Sequence, residues 1–175
     1  MSKILVVTYS YTGTSRLLGK MLCGMQSWPM AEVRESQPRS GWTGTWRCLM
    51  DSFFRRRPAI SEIGPTLREY DAVVLISPIW AYRLAGPIRT FVTSNRDQLR
   101  DVAVISVMGG SGAPNAVAEI GHLLGRSPLM STAFTSHEVE DGSCAGRLQA
   151  FGQAVQTAED SSLVMRPATW SPRAA

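Results

Sequence analysis

A short run of hydroxyl side chains near the amino terminus has the composition of a phosphate-binding loop. Ser10, Thr12, Thr14 and Ser15 surround Gly13 in the segment YSYTGTS, at the start of a stretch with helical character. The glycine lets the backbone approach a ligand, and the first helical turn presents unpaired N–H groups and a positive dipole end. The segment therefore predicts an anion cradle made of hydroxyls and amides instead of lysine. The simpler interpretation, that the hydroxyls only cap the helix, needs one of them and not four.

Three other kinds of anion-binding protein do not fit this segment. A P-loop requires GxxxxGK[ST], and the lysine is absent; a dinucleotide fingerprint requires GxGxxG, and only one glycine is present. A receiver domain would carry aspartates after its first and third strands. This chain has Tyr9-Ser10 and Ser77-Pro78 at those places.

Two further segments carry residues suited to a planar ligand. Trp80 and Tyr82 lie in SPIWAYRLAGP, and large aromatic side chains at the mouth of a pocket can stack on a ring. Taken alone, this segment is equally consistent with Trp80 packing on a neighbouring helix. A third segment, MGGSGAP, holds Gly109, Gly110 and Gly112, which allow close backbone approach or positive φ.

Strands and helices alternate along the chain and would position these loops. Continuous apolar, β-branched runs are typical of strands in a parallel sheet that is covered on both faces. The predicted strands are Ile4–Thr8, Ala72–Ile76, Val102–Val107 and Leu129–Thr135, with a weaker one near Met30–Arg34. The predicted helices are Thr14–Met25, Gly86–Asn95, Asn115–Leu124 and Gly142–Ala158, with prolines 87 and 114 near two helix starts.

This alternation predicts an α/β fold with a doubly wound, five-stranded parallel sheet in the order 2-1-3-4-5. Ligands of such sheets bind outside the carboxyl ends of the strands, where the winding direction reverses. The loops after strands one, three and four should therefore share one rim. The long connection Ser36–Pro65 carries Trp42, Trp46, Leu49 and Phe53 at helical spacing, which favours a core-facing helix over a cover for the second loop.

At these loops the chain resembles the flavodoxin superfamily, in particular its bacterial flavodoxin-family members. YSYTGTS resembles the FMN-phosphate loop, a serine or threonine followed by T/S-G-N-T, with Thr14 in place of the asparagine and Ser15 in place of the threonine. WRCLMDSFFRRRPAI and YDAVVLISPIWAYRLAGPIRTFV resemble relatives with a PVWAGRLAPPVRAF-like second loop. The similarity covers about residues 3 to 125.

The resemblance implies a flavodoxin-like fold that binds one FMN. By its motif, the phosphate would be held by Ser10, Thr12, Gly13, Thr14 and Ser15, with Tyr11 beside them. The ribityl chain and isoalloxazine would meet Pro78, Ile79, Trp80 and Ala81, and the polar edge of the ring would meet Gly109, Gly110, Ser111 and Gly112. Tyr82 stands where relatives often have glycine, so it either stacks on the flavin, partly blocks the site or points outward.

The resemblance also implies redox work, since the flavin carries out electron and hydride chemistry. The leading hypothesis is an NAD(P)H-dependent FMN oxidoreductase that reduces quinones or similar small acceptors. The alternatives are a one-electron carrier that docks with partner redox enzymes, and a protein that has lost FMN. Carriers of this kind are acidic around the flavin, whereas this chain has a net charge of +4 and a pI of about 9.3, which favours the enzyme or a carrier with acidic partners.

Composition sets the remaining expectations. The 175 residues predict one domain, residues 1–160, followed by a polar tail, residues 161–175. The apolar runs are too short to span a bilayer, and the strand-like start without a cleavage site predicts a cytoplasmic protein. Three widely spaced cysteines indicate reduced thiols and no metal site. Basic residues are not interleaved with aromatics, which argues against nucleic acid; a homodimer is one assembly open to the chain.

Overall fold

The computed structural model describes residues 1–36, 57–61, 64–110 and 112–165. Its strands are β1 (Ile4–Thr8), β2 (Met30–Glu32), β3 (Ala72–Trp80), β4 (Arg83–Leu84), β5 (Asp101–Met108) and β6 (Met130–Thr135). Its helices are α1 (Thr14–Gln26), α2 (Gly86–Asn95), α3 (Ala113–Leu124), α4 (Ser136–Glu140) and α5 (Ala145–Met165), and a 3-10 turn covers Leu67–Glu69. The predicted helix with Trp42, Trp46, Leu49 and Phe53 lies outside the described residues.

Five of the six described strands form a parallel sheet in the order β2-β1-β3-β5-β6. This confirms the predicted order 2-1-3-4-5, because the additional strand β4 pairs with β3 alone. The winding direction reverses between β1 and β3, which pair from Ile4↔Ala72 to Thr8↔Ile76. All strands of the parallel set therefore point their carboxyl ends at one edge, where loops from β1, β3 and β5 emerge.

The strands are apolar throughout because the core lies on both faces of the sheet. Along β1, Leu5 and Val7 pack with residues of α2 and α3, whereas Ile4 and Val6 pack with residues of α1 and α5. Every residue of β1 is buried. The sequence pattern thus correctly predicted helices on both faces of the sheet, because each apolar face must be covered by helices of its own.

Strand β3 is longer than predicted. Pro78, Ile79 and Trp80 were expected in the loop after the strand, but they continue it, with Pro78 opposite Val107 and Trp80 opposite Arg83. Proline is tolerated here because Pro78 lies beyond the last β1 pairing, so its missing N–H leaves no β1 carbonyl unsatisfied. The hairpin with β4 then extends the strand over the sheet edge.

The carboxyl-terminal helical region also differs from the prediction. Thr135 and Glu138 form a capping box that starts the short helix α4, and Gly142 adopts φ 78°, a left-handed conformation that separates it from α5. The second helix then runs to Met165, past the predicted end at Ala158 and into the segment expected to be a tail. Among the described residues, no helix has the length and apolarity that a membrane span requires.

Candidate functional site

The first loop of the carboxyl edge joins β1 to α1 and leaves the start of that helix uncapped by side chains. Gly13 is the N-cap, with φ 102°, and no side-chain hydrogen bond caps α1. Ser10 Oγ accepts the Gly13 N–H at 3.0 Å, which closes the loop upon itself. The hydroxyls therefore do not serve as helix caps, so the capping interpretation does not hold for this helix.

The hydroxyl side chains of the first loop differ in exposure. Thr12 is exposed and its Oγ1 lies 3.4 Å from Thr14 Oγ1, whereas the side chain of Ser15 is buried in the first turn of α1. No acidic residue occupies that turn. A helix start with unpaired N–H groups, neighbouring hydroxyls and no carboxylate is suited to an anion.

The second loop is a tight turn between β3 and β4. Ala81 and Tyr82 both adopt left-handed φ values, 48° and 61°, between the paired residues Trp80 and Arg83. Two consecutive left-handed residues match the twist of a two-residue hairpin. Tyr82 is 62% exposed, so its ring is not part of the core.

Trp80 turns the other way and meets the first loop. The rings of Tyr11 and Trp80 are edge to face, with centroids 5.6 Å apart and planes at 73°. The indole Nε1–H of Trp80 is buried and has no hydrogen-bond partner among the described residues. A buried donor without a partner is unusual in a folded protein and marks a place where a ligand acceptor could bind.

The third loop, after β5, packs closely against the second. Gly112 adopts φ 113°, and a Cβ built on it would lie 2.7 Å from Tyr82 Cα and 3.0 Å from Ile79 Cγ2. Gly109 and Gly110 are exposed, with open space where a side chain would be. Ser111 lies outside the described residues.

The structure thus joins the three loops pairwise, as the predicted topology requires. Tyr11 and Trp80 join the first loop to the second, and Gly112 joins the third loop to the turn at Tyr82. Gly109 and Gly110 are assigned to the site only because they belong to the third loop. The sequence reasoning correctly placed the loops on one rim, but it did not anticipate that Trp80 belongs to a strand.

A buried ion pair behind the second and third loops was missed by the sequence analysis. The Arg89 guanidinium on α2 is 1% exposed; its Nε donates to Glu119 Oε1 on α3 at 2.6 Å, and its Nη2 donates to the carbonyl of Leu84 at 2.9 Å. One side chain therefore links α2, α3 and strand β4. The signal in the sequence would have been an arginine on the apolar stripe of one helix together with a glutamate on a neighbouring helix.

The long connection begins and returns beside the first loop. The Ser36 N–H donates to Ala59 O at 3.1 Å, and the Ser61 N–H donates to Arg34 O at 2.8 Å. Glu35, next to these two hydrogen bonds in the chain, accepts from the Tyr9 hydroxyl at 2.6 Å. The long connection therefore starts and ends near β1. Residues 37–56, including Arg55 and Arg56, lie outside the described residues.

Basic side chains near the rim differ in their contacts. Arg16, in the first turn of α1, donates through Nε to Glu32 Oε1 of β2 at 2.6 Å, so this carboxylate largely offsets its charge. Arg57 is exposed, and Arg83 borders a groove beside Tyr82. Among the described residues, Arg83 is thus a basic side chain that lies at the rim.

The two cysteines in the described part of the chain, Cys23 and Cys144, have free thiols that are not activated. Burial raises the pKa of the Cys23 thiol to about 11, and burial is also the main cause that raises the pKa of the Cys144 thiol. Both thiols stay protonated near neutral pH and are poor nucleophiles. Within the described part of the chain, no three His, Cys, Asp or Glu side chains are grouped as metal ligands.

No protein-family model matches the sequence, and no curated protein sequence matches it significantly. Solved structures do match. A flavoprotein from Lactobacillus acidophilus NCFM, crystallised in complex with FMN, is 20% identical, with a TM-score of 0.67 over 81% of this chain and 98% of that chain. A flavodoxin, WrbA-like protein from Agrobacterium tumefaciens is 10% identical, with a TM-score of 0.57 over 92% and 99%. A flavone reductase is 15% identical, with a TM-score of 0.58 over 90% of this chain and 63% of its own.

These similarities concern backbone arrangement, since the sequence identities are low. They agree with the doubly wound α/β arrangement that the strand order gives. The chain has a flavodoxin-like fold.

Proposed function

We propose that this chain binds one FMN at the carboxyl edge of its sheet and acts in redox chemistry. The observation that carries the proposal is the uncapped start of α1 behind a hydroxyl-rich loop, beside the Tyr11 and Trp80 rings. FMN has a terminal phosphate and a planar ring system, and these two features need an anion cradle and an aromatic neighbour respectively. The structurally similar Lactobacillus protein was crystallised with FMN, which supports the same ligand here.

Two features of this structure fit that ligand. The first turn of α1 lacks carboxylates, so a phosphate there meets N–H groups and hydroxyls without repulsion. The buried Trp80 Nε1–H has no partner among the described residues, and a bound polar group could accept from it. The proposed cofactor-binding residues are Ser10, Tyr11, Thr12, Gly13, Thr14, Ser15, Pro78, Ile79, Trp80, Ala81, Tyr82, Gly109, Gly110, Ser111 and Gly112.

The bound flavin would supply electron and hydride transfer. The chain's own residues would hold and shield it: the first loop and α1 would bind the phosphate, and Trp80 and Tyr11 would exclude water from one side of the ring. The Gly109–Gly112 backbone would approach the polar edge of the ring, where exposed glycines leave room.

Within redox chemistry we propose an NAD(P)H-dependent reductase of quinones or similar small acceptors. A net charge of +4 attracts anionic nicotinamide phosphates, and a flavone reductase shares the fold. The second candidate is a one-electron carrier that docks with partner proteins. It is supported by the fold shared with a flavodoxin, WrbA-like protein.

Absorption spectroscopy tests the cofactor. We expect the purified protein to show, or to acquire on titration with FMN, a flavin spectrum at one equivalent, with FMN bound more tightly than FAD. Equal or tighter binding of FAD would reject the proposed phosphate cradle.

Anaerobic mixing tests the reaction. NADH or NADPH should bleach the bound flavin within seconds, and a quinone should restore its colour. If neither nucleotide reduces the flavin while a reductase protein does so readily, the carrier is the correct function.

A further inference from the structure

Tyr82 occupies a backbone conformation in which a tyrosine is costly. Its φ is 61°, and it follows Ala81 at φ 48° in the two-residue turn between β3 and β4. Such turns favour asparagine and glycine, because a side chain with a Cβ is strained in the left-handed region. Strain at an exposed turn is commonly kept where the side chain has a function. The 62% exposed ring therefore points to a contact outside the protein core.

The exposed ring borders a groove that begins at the rim of the proposed FMN site. The groove has a volume of about 760 Å³ and runs between the β3–β4 turn and α3. The end of the groove next to the rim is held in place, because the backbone of Tyr82 packs on Gly112 of the third loop. The groove is lined by Ala81, Tyr82, Arg83, Asn115, Ala118, Glu119 and His122.

The charge of this groove favours an anion. Glu119 is the one carboxylate among the described lining residues; the buried Arg89 guanidinium donates to it at 2.6 Å and offsets its charge. The remaining polar side chains can donate hydrogen bonds: the guanidinium of Arg83, the amide of Asn115 and the imidazole of His122. Arginine suits phosphate in particular, since its planar group can donate two parallel bonds.

We propose that this groove binds the nicotinamide dinucleotide, with the Tyr82 ring against a ring of the ligand and Arg83 at its phosphates. The proposal rests on the proposed FMN reductase function and adds the position of the electron donor. An aromatic face and a phosphate-binding cation next to the rim are what a phosphate-bearing aromatic ligand requires, and a volume of about 760 Å³ exceeds that of a single ring.

Substitutions at the turn separate binding from folding. Tyr82→Gly removes the ring and relieves the strained φ, so we expect an unchanged or higher thermal midpoint but about tenfold weaker binding of NAD⁺ or NADP⁺. Ser27→Gly is the matched control: it relieves the same kind of strain at an exposed residue with φ 58° that does not line the groove, keeps the Tyr82 ring and should leave nucleotide binding unchanged. Tyr82→Phe should retain binding, because the ring face is kept.

Binding is measured by calorimetric titration of oxidised nucleotide into the FMN-loaded protein, where no reduction occurs. Arg83→Gln should also weaken binding, whereas Arg68→Gln, an exposed arginine of the 3-10 turn, should not. Titration with ADP-ribose, which lacks the nicotinamide, shows which half of the ligand meets Tyr82. Wild-type affinity in Tyr82→Gly, or a joint loss of thermal stability and binding, would overturn the proposal.

Nucleotide titration also separates a failure of the proposed groove from a failure of the proposed FMN function. If the protein fails to bind FMN, the proposed function is rejected. Oxidised nucleotide titrated into the protein without FMN then tests the groove by itself: weaker binding by Tyr82→Gly than by Ser27→Gly supports it, and equal binding by the two variants rejects it.

Discussion

Gly112 lies so close to Tyr82 that a Cβ on the glycine would be 2.7 Å from the Tyr82 Cα. Gly112→Ala must displace the β3–β4 turn, and it also strains a residue held at φ 113°. We expect a loss of about 1–3 kcal/mol in the free energy of unfolding, measured by urea denaturation, together with weaker FMN binding. Gly110→Ala is the control, since open space surrounds that position, and its change in stability should stay within about 0.5 kcal/mol. Equal losses in the two variants would contradict the packing described here.

The hydroxyls of the first loop should matter for the phosphate and not for the ring. Thr12→Ala combined with Ser15→Ala should weaken FMN more than riboflavin, because riboflavin has no phosphate and each hydrogen bond to a charged group contributes about 1.5–3 kcal/mol. Fluorescence titration with both ligands measures the difference. Thr66→Ala, an exposed hydroxyl elsewhere, serves as the control. Equal weakening of both ligands would place the phosphate away from this loop.

Trp80 should influence the flavin ring. Trp80→Ala removes the partner of Tyr11 and should shift the absorbance and redox potential of bound FMN and relieve quenching of its fluorescence. Trp80→Phe keeps an aromatic face and removes the unpartnered Nε1–H, so it isolates the contribution of that donor. A spectrum and potential unchanged in both variants would show that Trp80 serves only to pack the first loop.

The Arg89–Glu119 pair should be important for stability because it is buried. Arg89→Met leaves Glu119 and the Leu84 carbonyl without their donor, and removal of one member of a buried pair costs about 3–5 kcal/mol. Arg100→Ala, which removes an exposed partner of Asp71 at 3.3 Å, should cost about 0–1 kcal/mol. Denaturant unfolding of both variants tests the contrast. A small loss in Arg89→Met would mean that water reaches Glu119 readily.

The capping box of α4 predicts a pH dependence of stability. The N–H and hydroxyl of Thr135 donate to Glu138, and these bonds, followed by the nearby Arg147, lower the pKa of the Glu138 carboxyl. Because the folded-state pKa lies below the unfolded one, this stabilisation is present near neutral pH and is lost as the pH falls through the folded-state pKa. Glu138→Gln should therefore lower the thermal midpoint at pH 7 and leave a smaller decrease on acidification. An unchanged pH profile would indicate that other carboxylates dominate acid unfolding.

The chain alone determined the sheet and the edge at which the three loops meet. Its apolar runs are covered on both faces, so only a parallel sheet between helices can bury them. Pro87 and Pro114 lie in the first turns of α2 and α3, as the rule for helix starts predicts. Since parallel strands point the same way, loops that follow them must share one rim, whatever their side chains do.

Only the tertiary structure decided how individual side chains are directed within that rim. Trp80 and Tyr82 are two residues apart, yet one ring packs on Tyr11 and the other is exposed, because the hairpin with β4 turns the chain between them. The Gly112 contact and the Arg89–Glu119 pair each join residues about 30 positions apart. Local propensity and spacing act over a few residues, whereas these contacts depend on the distance between packed elements, which the fold sets.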